Sequence, residues 1–82
     1  MTAKQLWIPR RTMNAILTNS SKLFSLVSIV PTDIKFDEFT RHHLVIEDTK
    51  THARYKVFVD LDHDNHIDQG WSEWDAYLEG AW

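Results

Sequence analysis

Arg41 to Asp68 reads RHHLVIEDTKTHARYKVFVDLDHDNHID, and the spacing of its apolar residues decides the fold. Two alternating runs, His43 to Glu47 and Arg54 to Leu61, flank the polar segment Asp48-Thr49-Lys50-Thr51. That arrangement predicts a β-hairpin with a four-residue or slightly longer connection. Tyr55, Val57, Val59 and Leu61 share one face by the period of two, and Leu44 and Ile46 oppose them from the partner strand. Beyond Leu61 the second run passes into a loop with an acidic residue at every other position.

Downstream of this unit, Gly70 punctuates the chain. Ser72 is a good N-cap with Asp75 as a short-armed capping-box partner, and Trp71 is placed to staple onto Ala76. Trp74, Tyr77, Leu78 and Ala81 then make the buried stripe of a terminal helix over 71–82. Upstream, Phe24 or Ser25 to Val30 is a nearly continuous apolar run that Pro31 ends, which predicts a strand. Ile34 to Phe39 alternates and fits either a strand extension or a wrapping loop. Further back, Pro9 sits where a helix tolerates proline best, in the first turn. Met13, Ile16, Leu17, Ser20, Leu23, Phe24 and Val27 recur at three- and four-residue spacing, an amphipathic helix within 9–24 that Asn19-Ser20-Ser21 weakens. Residues 1–8 form an arm or a short strand at Gln5 to Ile8. The expected fold is α+β in the order α-β-β-β-α: a three-stranded antiparallel meander over 25–61, an acidic loop over 62–70, and an N-terminal and a C-terminal helix against one face.

Eighty-two residues make a single domain, 1–82, near the size where one core yields only a few kcal/mol of net stability. Four Trp, four Phe and two Tyr are a generous aromatic allotment, so some are expected at the surface or against a partner. With no Cys, a disulfide framework and a thiolate metal site are excluded. No apolar run reaches the roughly 18 residues of a membrane span, and the first eleven residues lack a signal-peptide core, so a soluble intracellular protein is expected. The net charge of −3 is unevenly spread. Residues 1–41 carry six Lys/Arg against three Asp/Glu, and residues 42–82 carry three against nine. An acidic C-terminal half disfavours nonspecific nucleic-acid binding and favours a basic protein surface, although a solvated acidic face kept for solubility has the same composition.

The segment Asp60-Leu61-Asp62-His63-Asp64-Asn65-His66-Ile67-Asp68 follows the EF-hand calcium loop at relative positions 1, 3, 5, 8 and 9. It departs at position 6, which is Asn65 where Gly is usual, and at position 12, which is Trp71 where a bidentate Glu is required. A strand leads in where a helix should. Calcium held by Asp60, Asp62, Asp64 and Asp68 is therefore the alternative to a solvated acidic turn. Five histidines include the pair His63 and His66 and the trio His42, His43 and His52, but none forms an HExxH pair and no thiolate assists zinc. There is no GxSxG elbow and no phosphate-cradling glycine loop among only two glycines. The residues point to a binding protein without a cofactor rather than an enzyme.

Several short words occur in a collinear order. They are Thr18-Asn19, Lys22-Leu23-Phe24 with Leu26, Thr40-Arg41, Leu44, Ile46-Glu47-Asp48, His63-Asp64, and a terminal segment containing Trp74. In this order and approximate spacing the chain resembles the small early proteins of T-seven-like bacteriophages that inhibit the host dGTP triphosphohydrolase. The likeness covers residues 18–82. One insertion is needed around Ser20 and Ser21, the hairpin turn and the acidic loop differ in detail, and residues 1–17 match poorly. The resemblance implies a Trp-containing terminal helix, an oligomeric host enzyme as partner, protection of the dGTP pool for phage DNA synthesis, and the cytoplasm of the infected bacterium as location.

A partner that binds polyanionic nucleotides presents Lys and Arg, and an acidic protein suits it. On that reading Glu47, Asp48, Asp60, Asp62, Asp64 and Asp68 face the basic surface, and Trp71 or Trp82 supplies a desolvated anchor. Trp74 could serve as anchor too, but it fits a core position better. The other binding class is an acidic mimic of DNA that occupies a groove of some other host protein.

Overall fold

In the computed structural model, which describes residues 3–80, the chain runs β1 (Gln5–Pro9), α1 (Arg10–Leu17), β2 (Phe24–Phe36), β3 (Phe39–Asp48), β4 (Arg54–Leu61) and β5 (Glu73–Leu78). The five strands form one antiparallel sheet in the order β1-β5-β4-β3-β2. Alternation organises its centre: β3 and β4 pair with Leu44 opposite Val57 and Ile46 opposite Tyr55, and all four side chains are buried. Asp48 closes the hairpin by accepting the Lys50 and Thr51 amides at Oδ1, while His52 takes a left-handed φ of 63°.

This sheet overturns the expected three-stranded meander between two helices. Within the terminal segment read as a helix over 71–82, Ala81 lies outside the described residues and Glu73–Leu78 is the strand β5. Its residues alternate, with Trp74 and Ala76 buried and Glu73, Asp75 and Tyr77 exposed. Tyr77, placed on the buried stripe of that helix, is 44% exposed, and the capping and stapling roles given to Ser72, Asp75 and Trp71 have no helix to act on. Six residues of a helical and a strand pattern overlap, and the tie is broken by hydrogen bonding. β5 enters between β1 and β4, pairing Ile8 with Trp74 on one side and Val57 with Ala76 on the other. A helix there would leave the backbone edge of β4 unpaired.

The first helix is shorter than its stripe. It ends at Leu17, and Thr18 both donates its amide to Asn14 and caps the same carbonyl through Oγ. Asn19 then turns left-handed at φ 59°, and the Ser20 and Ser21 amides return to Ala15. Asn and Ser compete with helix by bonding locally, so the polar triplet terminates α1 rather than bending it. Leu23 and Phe24, expected on the helix, lie outside it, and Phe24 begins β2.

β2 also runs past Pro31 to Phe36. As the edge strand it needs no inward amide from proline, and Pro31 simply faces His42. The register slips between Pro31 and Lys35, where Thr32 Oγ donates to the Arg41 carbonyl at 2.8 Å. A two-residue turn, Asp37-Glu38, with Asp37 at φ 52°, then reverses the chain into β3.

Among the described residues, one face of the sheet is covered by the helix. Met13 and Ile16 of α1 pack on Ile8, Leu44, Ile46, Tyr55, Val57, Val59, Leu61, Ile67, Trp74 and Ala76 to make the core. The Tyr55 hydroxyl reaches the Ala3 carbonyl at 2.8 Å and ties the N-terminal strand to the centre. No helix among the described residues is long and apolar enough to cross a membrane.

Candidate functional site

The acidic residues singled out by sequence fall into two groups that the fold separates. Glu47 faces Arg54 and Asp60 faces Arg41 across the β3–β4 hairpin. Six residues at ~3.3 Å each therefore put the groups about 20 Å apart. At the turn end, Glu47 accepts from Arg54 at 3.1 Å and stands 3.3 Å from His52 Nδ1. His52 and Arg54 together hold the Glu47 carboxyl below its usual range. Asp48 is lowered in the same direction by its two turn amides, Lys50 first and Thr51 second.

At the other end, Asp60 is 7% exposed and forks onto Arg41, with Nε at 2.9 Å and a second guanidinium nitrogen at 3.3 Å. Asp62 builds the loop: its Oδ1 accepts the His66 and Asp64 amides, each at 2.9 Å, and these bonds, that from His66 first, keep its carboxyl low. Asn65 supplies the left-handed residue at φ 62° that the turn needs. Asp68 accepts the Gly70 amide, and Ile67 is buried beneath the loop against the core. Asp64 remains exposed, 3.3 Å from His63. The four carboxylates of the calcium reading therefore do not converge. What does converge is Asp62, Asp64 and His66, whose ligand atoms lie within 4.8 Å of one another. Trp82 lies outside the described residues.

Sequence reasoning missed the residue that holds this loop. The Arg10 guanidinium, at the first position of α1, donates to the carbonyls of Ile67, Asp68 and Trp71. One cation thus gathers three carbonyls of a segment that lies between β4 and β5. Arg10→Gln is expected to destabilise the protein by about 1–2 kcal/mol, since charge-assisted bonds exceed neutral ones. Hydrogen exchange should quicken across residues 62–72 and stay unchanged in β3 and β4; uniform acceleration would show that Arg10 does not act locally.

The sheet's second face carries Trp7, Phe58 and Tyr77, all exposed. Registers place Trp7 opposite Asp75 on the β1–β5 side, and Phe58 opposite His43 and His43 opposite Val30 on the β4–β3–β2 side; the β4–β5 pairing ends at Val57 and Ala76, so a cleft lies between these two groups. In the next row Gln5 faces Tyr77, Tyr77 faces Lys56, and Lys56 faces Val45. Trp7 is 65% exposed, Trp71 50%, and Phe58 43%. His43 tilts against Phe58 with ring centroids 5.4 Å apart, Lys56 Nζ sits 5.1 Å from the Phe58 centroid, and the Arg41 guanidinium 5.0 Å from that of Phe36. Two cations of this face are thus already seated on aromatic rings. At its end, Arg41, Phe58, Asp60, Trp71, Glu73, Trp74 and Asp75 enclose this cleft of about 250 Å³.

Burial pushes the His43 imidazole down, and Lys56 adds to the effect. This shift and the lowered carboxyls of Glu47, Asp48 and Asp62 have one sign: the folded chain binds protons less readily than the unfolded chain. Stability is then full above the unfolded histidine value of about 6.5, falls as pH drops below it, and falls again below about 4 as unfolded carboxyls protonate first. Urea unfolding at pH 7, 5.5 and 3.5 should give descending midpoints, and His43→Gln should shrink the first step; a midpoint that rises toward pH 5.5 would contradict the assignment.

Sequence alone marks Trp71 as a candidate anchor, and it is exposed; it leaves Trp7, Phe58, Glu73 and Asp75 unmarked. The period-two pattern Glu73-Trp74-Asp75-Ala76-Tyr77-Leu78 was the available signal. Compared with protein-family models, curated proteins and solved structures, the chain matches none.

Proposed function

We propose that this chain acts by docking on another protein, and that the partner is a host dGTP triphosphohydrolase whose hydrolysis of dGTP it blocks. In this reading it breaks no bond itself, uses no cofactor and works in the cytoplasm of an infected bacterium. The observation that carries the docking half is the sheet face opposite the core, on which Trp7, Phe58 and Tyr77 of three different strands are exposed. Clustered aromatic exposure is what an interface core presents before its partner covers it. The named target rests on the collinear words from Thr18 to Trp74, of which the helical context at Trp74 is replaced by β5.

Electrostatics has a narrower part than the count of acids implies. Asp60, Glu47, Asp48, Asp62 and Asp68 are engaged by Arg41, by Arg54 and His52, and by turn amides. Asp64, exposed at the loop tip, remains suited to steering a basic surface. Asp64→Lys is expected to slow association and flatten its salt dependence while leaving the fold intact.

The deciding test is dGTP hydrolysis by purified triphosphohydrolase with this protein in titrated ratio. Activity should fall toward a plateau set by stoichiometry. Trp7→Ala with Phe58→Ala should weaken inhibition at least about 30-fold, the loss of one interface hot spot. An enzyme running at full speed beside an excess of the protein rules out the target.

A further inference from the structure

We propose that the cleft between β5 and the end of β4 receives an arginine side chain from the surface of a protein partner. The proposal deepens the docking reading and rests on it. A cleft of about 250 Å³ is below the roughly 300–1,000 Å³ of a small-molecule pocket, and suits one long side chain. Its lining includes the core residue Trp74 and, open to solvent, the aromatic rings of Trp71 and Phe58. These are the surfaces on which a planar cation stacks.

The charges of the lining are unbalanced in a specific way. Arg41 is matched by Asp60 within the wall, through the fork already described. Glu73 and Asp75, successive outward residues of β5, are exposed and carry no ion pair or side-chain hydrogen bond among the described residues. The cleft thus offers aromatic faces and two uncompensated carboxylates together, which attracts a cation and repels an acidic or phosphorylated group. Arginine is favoured over lysine because guanidinium is planar, weakly hydrated, and forks onto carboxylates while stacking on a ring. The same face already seats cations on its rings, with the Arg41 guanidinium over Phe36 and the Lys56 ammonium over Phe58.

The test uses the full-length protein and N-acetyl-arginine amide as probe, followed by nuclear magnetic resonance at the indole N–H groups. The Trp71 signal should shift and saturate, with a dissociation constant on the order of millimolar for a single side chain. The neutral isostere N-acetyl-citrulline amide should not reproduce the shift. Glu73→Gln with Asp75→Asn should weaken the arginine response at least about tenfold with the amide spectrum otherwise preserved. An equal response to citrulline, an unaltered response in the double variant, or no shift at Trp71 overturns the proposal. Inhibition of the triphosphohydrolase is measured separately with the same double variant. Undiminished potency shows that the inhibitor docks elsewhere and overturns the arginine site, leaving the docking reading standing. Wild-type protein that binds the arginine probe without inhibiting the enzyme keeps the site and removes the named target.

Discussion

Leu44→Ala is expected to lower the free energy of unfolding by about 2–5 kcal/mol, the range for deleting a buried leucine side chain without collapse of the space it leaves. Leu44 is fully buried on β3, next to Val57 of β4 and Ile29 of β2, and α1 covers this face. Sheet neighbours on both sides hold its surroundings in place, so relaxation is limited and the upper half of the range is the expectation. A domain of 82 residues has about 4–12 kcal/mol in total at ordinary stability per residue. The variant should therefore melt well over 10 °C lower, at about 4–8 °C per kcal/mol. Val45→Ala is the matched comparison, because Val45 lies on the opposite face of the same strand and should lose less than about 1 kcal/mol. Thermal unfolding followed by circular dichroism reads both; equal losses would mean that the two faces of β3 are assigned the wrong way round.

Asp60→Ala has the second large effect, expected at about 2–4 kcal/mol. Asp60 is 7% exposed and is held by two bonds from Arg41, whose guanidinium is raised further above its ordinary pKa chiefly by the hydrogen bond to this carboxylate. Removing the acid strands a partly covered cation beside Phe58 and Phe36, and a stranded charge costs far more than the pair contributes. Replacing both partners separates these quantities: Asp60→Leu with Arg41→Met should recover most of the loss, because the desolvation of both ions disappears with them. Denaturant midpoints of the two single variants and the double variant complete the cycle. A double variant no more stable than Asp60→Ala would show that the pair itself, rather than an unpaired charge, carries the stability.

The candidate site divides along the same line as the fold. That the chain is acidic toward its C-terminus, and that Asp62 and Asn65 form a turn, follows from residue type, because short polar side chains bond their own backbone wherever they occur. Whether those carboxylates are available to a partner does not follow. Asp60 looks like its neighbours in the sequence, yet it alone is drawn into the sheet and paired with Arg41, nineteen positions earlier. Arg10 reads as a surface cation and instead gathers carbonyls about sixty residues away. The cleft joins Arg41 and Phe58 to Trp71 and Asp75, and no local window contains them together.

By itself the sequence determined the β3–β4 hairpin, its inward side chains and its turn. There a period of two, a polar connection and cross-strand partners lie within one short stretch, and the interactions that stabilise the pairing are nearly local. The end of α1 was legible too as a weak point at Asn19-Ser20-Ser21. Tertiary structure decided the rest. Glu73 to Leu78 has apolar residues that suit a helix or a strand, and it becomes β5 because the open edges of β1 and β4 both require backbone partners. Pro31 reads as a strand end, yet β2 continues through it because β2 lies at the edge, where a missing amide leaves no neighbour unsatisfied. Periodicity reports which face of a segment is apolar; only the assembled sheet states which backbone groups still need a partner, and that demand converted a predicted helix into the strand that holds the two halves of the molecule together.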